Sequence, residues 1–314
     1  MRRGLIAALT AALMSLPLLP SQAAMCTGHG VELQVLGSGG PELLTARASS
    51  SYLIRRDGRP SVLVDSGGGS ALRFAEAGAR VADLDAIVFS HFHVDHAGDF
   101  AALIKSSYFQ DRRRPLPVFG PAGNTDFPGM AAYSRSLFAE PNGAFHYLSD
   151  FLPPAGKSAD DAYALRPQDV QPPAGALLTV YETTGLKLAA ATVVHGRVPA
   201  LGWRVEVDGA VLAFSGDTNG DNGNLEKVAA GADLFVAHNA VPEGVRGPVR
   251  GLHMPPSVIG RVAADAAVHR LVLSHRMSRT LGREADTTAE IRKHYEGPLA
   301  FADDLDCYSL TGEP

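Results

Sequence analysis

Residues 91–96 read His-Phe-His-Val-Asp-His, which places three histidines and an aspartate within six positions. No other stretch restricts the chemistry of this chain as strongly. Neutral imidazole and carboxylate are ligands for a divalent ion such as Zn²⁺, and a bound imidazole usually donates its second N–H to a neighbouring acceptor. Upstream, residues 85–90 form a short apolar run without a helical period, which predicts a strand. Downstream, residues 99–105 read as a helix start with Asp99 near its N-terminus. The four side chains therefore lie on a tight strand-to-helix loop, where one backbone bend can aim several imidazoles at one point. Three unrelated surface histidines are the alternative, and this spacing beside a strand end argues against it.

The second half repeats the pattern. Residues 188–194 form an apolar run that ends in His195. Residues 202–207 and 210–214 read as a hairpin across Asp208-Gly209, and the second strand runs into Ser215-Gly216-Asp217. Residues 232–237 end in His238-Asn239, and residues 271–274 end in His275. One histidine at the end of an apolar strand is more often structural than a ligand. Several strand ends on one sheet edge converge on one site. Between them, helices are predicted over 257–268, after a Pro-Pro start, and over 287–295, with a Thr287…Glu290 capping box.

The first half reads as strands at 31–36, 51–54, 61–64 and 115–121, with a turn at Asp57-Gly58, and helices near 71–79 and 127–138. The glycines of 37–40 and 67–69 lack the dinucleotide fingerprint and the Walker lysine. They are read instead as letting backbone approach the metal loop. Residues 147–152, apolar and aromatic, either cover one side of a pocket or pack into the core. Residues 153–173 are polar and marked by prolines.

At the start, Arg2 and Arg3 precede an apolar run from Leu5 to Leu19, too short to span a bilayer, and small residues follow near Ala23 and Ala24. Residues 1–24 are therefore expected to be an export signal, with a retained N-terminal anchor as the alternative. Residues 25–314 are expected to form one domain in the periplasm or outside the cell. A formal net charge of −5 argues against a broad electrostatic grip on nucleic acid. Only two cysteines exist, Cys26 and Cys307. Neither lies near the histidine loop, so thiolate ligation there is not expected, and an oxidising compartment would let them pair.

The motif at 91–96, then His195, Ser215-Gly216-Asp217 and His275, resembles the metallo-β-lactamase superfamily in order, type and spacing over nearly the whole chain beyond residue 24. The resemblance implies an α/β fold, an αββα four-layer sandwich of two mixed sheets flanked by helices. It implies that His91, His93 and His195 hold one metal and Asp95, His96 and His275 the other, with Asp217 bridging. Two metals are implied, usually zinc, with Mn²⁺ or Fe²⁺ as alternatives and a hydroxide between them. Within the superfamily the chain is most similar to the ribonuclease Z-like branch, which also holds arylsulfatases and phosphodiesterases. The similar pieces are residues 36–40, 118–121, 214–218, 251–253 and 271–275.

Two departures argue against tRNA maturation. That enzyme carries a long arm between the third histidine and the bridging aspartate, whereas here residues 196–216, 21 in all, fill the interval. The branch's His-Glu pair appears as His238-Asn239, so one carboxylate of the proton relay is missing. The resemblance makes His253 the proton donor to the leaving group, and Asp95 a residue that both binds metal and orients the hydroxide. His238 is left between buttressing His253 and a structural role, and His29, His146, His269 and His294 fall outside every motif. The expected activity is an exported, dinuclear zinc hydrolysis of phosphodiester or aryl sulfate esters of small molecules. Hydrolysis of lactones or β-lactams is the alternative, and a non-enzymatic binding protein is the third. No nucleic-acid partner and no stable membrane anchor after cleavage are expected, and a homodimer is left open. In the resembled branch the first and last strands share a sheet, so a Cys26–Cys307 disulfide is expected, with a free Cys26 as the alternative.

Overall fold

The computed structural model of the chain describes residues 26–152 and 163–310. The expected export signal, residues 1–24, lies outside them. In chain order the first half is β1 (Val31–Gly37), β2 (Ser51–Arg56), β3 (Arg59–Val64), α1 (Ser70–Glu76), β4 (Ala86–Val88), α2 (Val94–Ala97), α3 (Phe100–Ser107), β5 (Leu116–Pro121), α4 (Met130–Phe138) and β6 (Leu165–Val170). The second half is β7 (Leu178–Thr183), β8 (Leu186–His195), β9 (Val198–Val207), β10 (Ala210–Phe214), α5 (Leu225–Ala229), β11 (Leu234–His238), α6 (Pro256–Asp265), β12 (Leu271–Ser274), α7 (Glu284–Ile291), β13 (Leu299–Phe301) and β14 (Cys307–Ser309).

Two seven-stranded mixed sheets result, in the orders β14-β1-β2-β3-β4-β5-β6 and β13-β12-β11-β10-β9-β8-β7. Alternating apolar residues from both sheets, including Leu33, Tyr52, Ile54, Trp203, Val205 and Phe214, fill the layer between them. The other face of the first sheet packs under α1, α3 and α4 through Phe74, Phe100, Leu103 and Phe138. The other face of the second packs under α5, α6 and α7 through Val228, Ile259 and Ile291. This is the expected αββα sandwich, and a strand buried on both faces explains the continuous apolar runs of β4, β11 and β12. The turns at Asp57-Gly58 and Asp208-Gly209 hold both residues at positive φ, the geometry that matches strand twist in tight hairpins.

Two expectations need correction. The helix expected at 287–295 runs over Glu284–Ile291, so Thr287 lies inside it and its N–H bonds to the carbonyl of Arg283. Glu290 reaches forward to Lys293 instead of closing a capping box. Glu284 and Asp286 in the first turn suit the positive end of the helix dipole, which explains the earlier start. In the proline-marked stretch, Leu165–Val170 forms β6 on the sheet edge, the place where a strand tolerates Pro167. The aromatic residues Tyr147 and Phe151 do line a cavity, together with Lys105, Tyr108 and Tyr163, but none of the expected metal ligands borders it.

Cys26 and Cys307 form the expected disulfide, with Cα atoms 5.2 Å apart. Strand β14 pairs with β1, which sets Cys307 opposite Gln34 near the start of the described chain. The bond closes a separation of 281 residues. In the chain-entropy account such a closure contributes roughly 2–5 kcal/mol.

Candidate metal centre

Strands β8, β10, β11 and β12 point their C-terminal ends to the same edge of the second sheet, because β8 and β10 each run antiparallel to β9, and β10, β11 and β12 are mutually parallel. That edge presents His195, Asp217, His238 and His275 to the loop after β4. Hydrogen bonds seat the loop on β9: the indole of Trp203 donates to the Phe89 carbonyl at 2.9 Å, and Leu201 N–H donates to the Ser90 carbonyl at 2.9 Å. Seven of the eleven histidines gather here, all buried except the half-buried His93. The four outside every motif, His29, His146, His269 and His294, are all exposed.

The glycines act as expected at two positions. A Cβ on Gly67 would lie 2.1 Å from the Asp95 carbonyl oxygen, and one on Gly40 would lie 2.6 Å from Cε1 of His275. Both approaches are closed to any side chain. Asp65 and His275 adopt positive φ at the ends of β3 and β12, an uncommon conformation for residues other than glycine that turns each side chain into the site.

Asp65, at the end of β3, organises the centre. Its carboxylate accepts from Ser90 N–H at 2.7 Å, Ser90 Oγ at 2.8 Å and His96 Nδ1 at 2.8 Å. A carboxylate only accepts, so His96 carries its proton on Nδ1 and presents Nε2 inward. Ser90 Oγ, which donates to Asp65, accepts from His91 Nδ1 at 3.1 Å. His195 donates from Nδ1 to the Leu252 carbonyl at 2.9 Å. Nε2 of His91 and Nε2 of His96 are buried without a hydrogen-bond partner among the described residues.

These atoms converge on two adjacent positions. One is ringed by His91, His93, His195 and Asp217, and the other by His96, Asp217, His238 and His275. His93 Nδ1 and His195 Nε2 are 3.3 Å apart. Bonds of about 2.0–2.1 Å to a tetrahedral ion set neighbouring ligands roughly 3.3–3.4 Å apart. Asp217 Oδ2 lies 3.7 Å from His96 Nε2 and 3.8 Å from His195 Nε2, between the two positions. Asp95 Oδ2 stands beside the second position, 3.1 Å from His275 Nε2 and 3.6 Å from His96 Nε2. The sequence counts His238 among the converging strand ends but not among the expected ligands. Both its nitrogens are engaged, Nδ1 by Asp217 Oδ1 at 2.8 Å and Nε2 by the Tyr52 hydroxyl at 3.0 Å. Orphaned inward nitrogens, ligand-like spacings and a shared carboxylate fit divalent ions.

Electrostatics agree with that chemistry. Burial, reinforced by the charge of His96, holds His91 well below the usual imidazole range. Burial also lowers His96 and His275, but the carboxylates of Asp95 and Asp217 outweigh it and draw protons onto both. Asp217 is held well below the usual carboxylate range: burial opposes this, and the charges of His275 and His96 overcome it. Burial pushes His238 down to about 4. His253 falls to about 3, again through burial, with Arg279 and the neighbouring histidines adding to it.

A pH dependence follows. Raised values mean that His96 and His275 hold protons near neutrality when no metal is bound, and a metal must displace those protons. Zinc affinity should therefore fall as pH drops through neutrality and level off above the raised values. Competition titrations across about pH 6–8 check this, and a flat profile would contradict it.

A four-layer sandwich with buried histidines and aspartates at its strand ends is the framework of a metal-dependent hydrolase. The family model described as Metallo-beta-lactamase superfamily matches residues 44–257, and the chain belongs to that superfamily. Among its relatives, a Ribonuclease Z of Mycolicibacterium paratuberculosis is 29% identical over 288 residues, spanning 88% of this chain and 96% of that protein. Among solved structures, the metallo-beta-lactamase fold protein YhfI of Bacillus subtilis aligns with a TM-score of 0.67 at 19% identity, over 89% of this chain and 99% of its own. Zn²⁺-bound PqqB of Methylobacterium extorquens aligns with a TM-score of 0.63 at 16% identity, over 88% and 99%. At those identities the likeness is one of fold.

Proposed function

We propose that this chain is an exported, dinuclear zinc-dependent hydrolase of small-molecule phosphodiesters or aryl sulfate esters. The observation that carries the proposal is the position of Asp217 Oδ2, midway between two clusters of inward-facing nitrogens. In this reading His91, His93 and His195 hold one ion, Asp95, His96 and His275 hold the second, and Asp217 is shared. Zinc accords with the nitrogen-rich donor set and with the zinc in PqqB. When bound, the pair of ions supplies Lewis acidity that activates water and draws charge from the ester oxygens.

The protein's own groups do the rest. Asp95, kept ionised mainly by His96 and His275 against the effect of burial, accepts a hydrogen bond from the attacking water and orients it. His253 follows the turn at Pro248–Gly251, and its Nδ1 lies 3.8 Å from Asp217 Oδ2. There it delivers a proton to the leaving oxygen. Arg279 donates from Nε to the Ala240 carbonyl at 2.6 Å and has no carboxylate partner among the described residues. Its charge acts on both Glu42 and His253. A half-buried guanidinium whose charge reaches the proton donor favours an anionic ester over a neutral lactone.

The relative is named for RNA cleavage, and its phosphodiester chemistry supports this reading. A small substrate is favoured by the interval between His195 and Asp217, which β9 and β10 fill as one hairpin. Export is supported by the disulfide and by the arginine-led apolar N-terminus. No helix among the described residues is long and apolar enough to cross a membrane. N-terminal sequencing of the native protein should begin near residue 24 or 25, and an intact Met1 would contradict cleavage. Zinc-loaded protein should show its highest kcat/KM on aryl phosphodiesters or aryl sulfates in a panel that includes a lactone and a cephalosporin. A clear preference for either carbonyl substrate would overturn the ester reading.

A further inference from the structure

Among the described residues, His238 is the one histidine of the centre whose two ring nitrogens are both hydrogen-bonded to other side chains, and the groups that engage it lie far apart in the chain. Tyr52 stands on β2 of the first sheet. Its ring packs 5.6 Å from Phe214 and 6.0 Å from His238, so it spans the layer between the sheets. Its hydroxyl lies 3.0 Å from His238 Nε2 and 2.9 Å from Ser274 Oγ. Ser274 immediately precedes His275. All four residues, Tyr52, Asp217, His238 and Ser274, are buried.

The donors can be ordered from the acceptor end. Asp217 Oδ1 only accepts, so His238 carries its proton on Nδ1 and donates at 2.8 Å. The other nitrogen of the neutral ring then accepts from the Tyr52 O–H. The Tyr52 O–H is also directed at Ser274 Oγ, 2.9 Å away, so its single proton is shared between that oxygen and His238 Nε2. Ser274, Tyr52, His238 and Asp217 thus form one connected run that ends on one carboxylate oxygen.

We infer that Tyr52 and Ser274 are positioning residues of the metal centre, acting through His238 to occupy Asp217 Oδ1 and leave Oδ2 free to be shared between the two metal positions. This rests on the dinuclear reading above. It also separates His238 from the ligands: a ring with both nitrogens committed has no lone pair to offer, although it stands at the second position. A hydroxyl from one sheet thereby sets the orientation of a carboxylate on the other, and it touches the residue next to His275 as well.

The test is metal affinity, read by competition with a chromophoric chelator, and the visible spectrum of the Co²⁺-loaded protein. Tyr52→Phe keeps the ring and removes only the oxygen. It should weaken zinc binding by about 10–100-fold, the usual effect of losing a group that orients a metal ligand, and shift the cobalt bands. Ser274→Ala should act in the same direction by less. His238→Asn can still donate to Asp217 but is too short to reach Tyr52, so adding Tyr52→Phe to it should change nothing further. Wild-type affinity and an unchanged cobalt spectrum in Tyr52→Phe would overturn the inference. So would additive losses in the double variant, or loss of one whole ion in His238→Asn alone, which would make His238 a ligand. Fewer than two ions in the wild-type protein would instead overturn the reading of the centre itself.

Discussion

Asp217→Ala should lose both metal ions together and reduce hydrolysis to background. Asp217 is the one carboxylate common to the two groups of convergent side chains, and its Oδ2 is almost equidistant from His96 and His195. Removing it also releases His238 from its hydrogen bond and takes away one of the two carboxylates, Asp95 being the other, that act on both His96 and His275. Asp95→Ala, by contrast, disturbs only the side of His96 and His275 and should leave one ion in place. Elemental analysis of the two variants after zinc reconstitution distinguishes these outcomes. Retention of one equivalent in Asp217→Ala would show that the carboxylate serves a single site.

His253→Ala should depress turnover of esters with poor leaving groups by about 10²–10⁴, the range for removing a general acid. Nitrophenolate esters, whose leaving groups need no proton, should be far less affected. His253 sits at about 3 in the free site because of burial, so its proton has to be taken up alongside an anionic substrate. Asn239, next to His238, cannot supply the charge that a carboxylate would, and its side chain has no partner among the described residues. The wild-type rate on poor leaving groups should accordingly rise toward acid until metal binding fails. An equal loss on both substrate types, or loss of metal in His253→Ala, would make His253 structural or a ligand.

Much of the centre was legible because its ligand-type residues end apolar runs, and an apolar run that stops at His or Asp marks the edge of a sheet. His91, His93, Asp95, His96, His195, Asp217, His253 and His275 all meet there. The supporting residues carry no such mark. Asp65 looks like part of a glycine-rich turn, and its bond to His96 spans 31 residues. Tyr52 looks like any aromatic residue in a strand, and its partner His238 lies 186 residues away. The pairing of β3 with β4 brings the first two groups together and the packing of one sheet on the other brings the second two, and no local pattern encodes either. Helix ends failed for a related reason. The Thr287…Glu290 spacing fits a capping box, but Glu290 finds Lys293 and the acidic first turn starts α7 at Glu284. Strand β6 was hidden by Pro167, which excludes a central strand but not an edge.

Counting the ions tests the two-ion centre most directly. Purified protein, stripped with chelator, reconstituted with zinc and freed of excess metal, should carry close to two equivalents per chain by elemental analysis. One equivalent or none would contradict it.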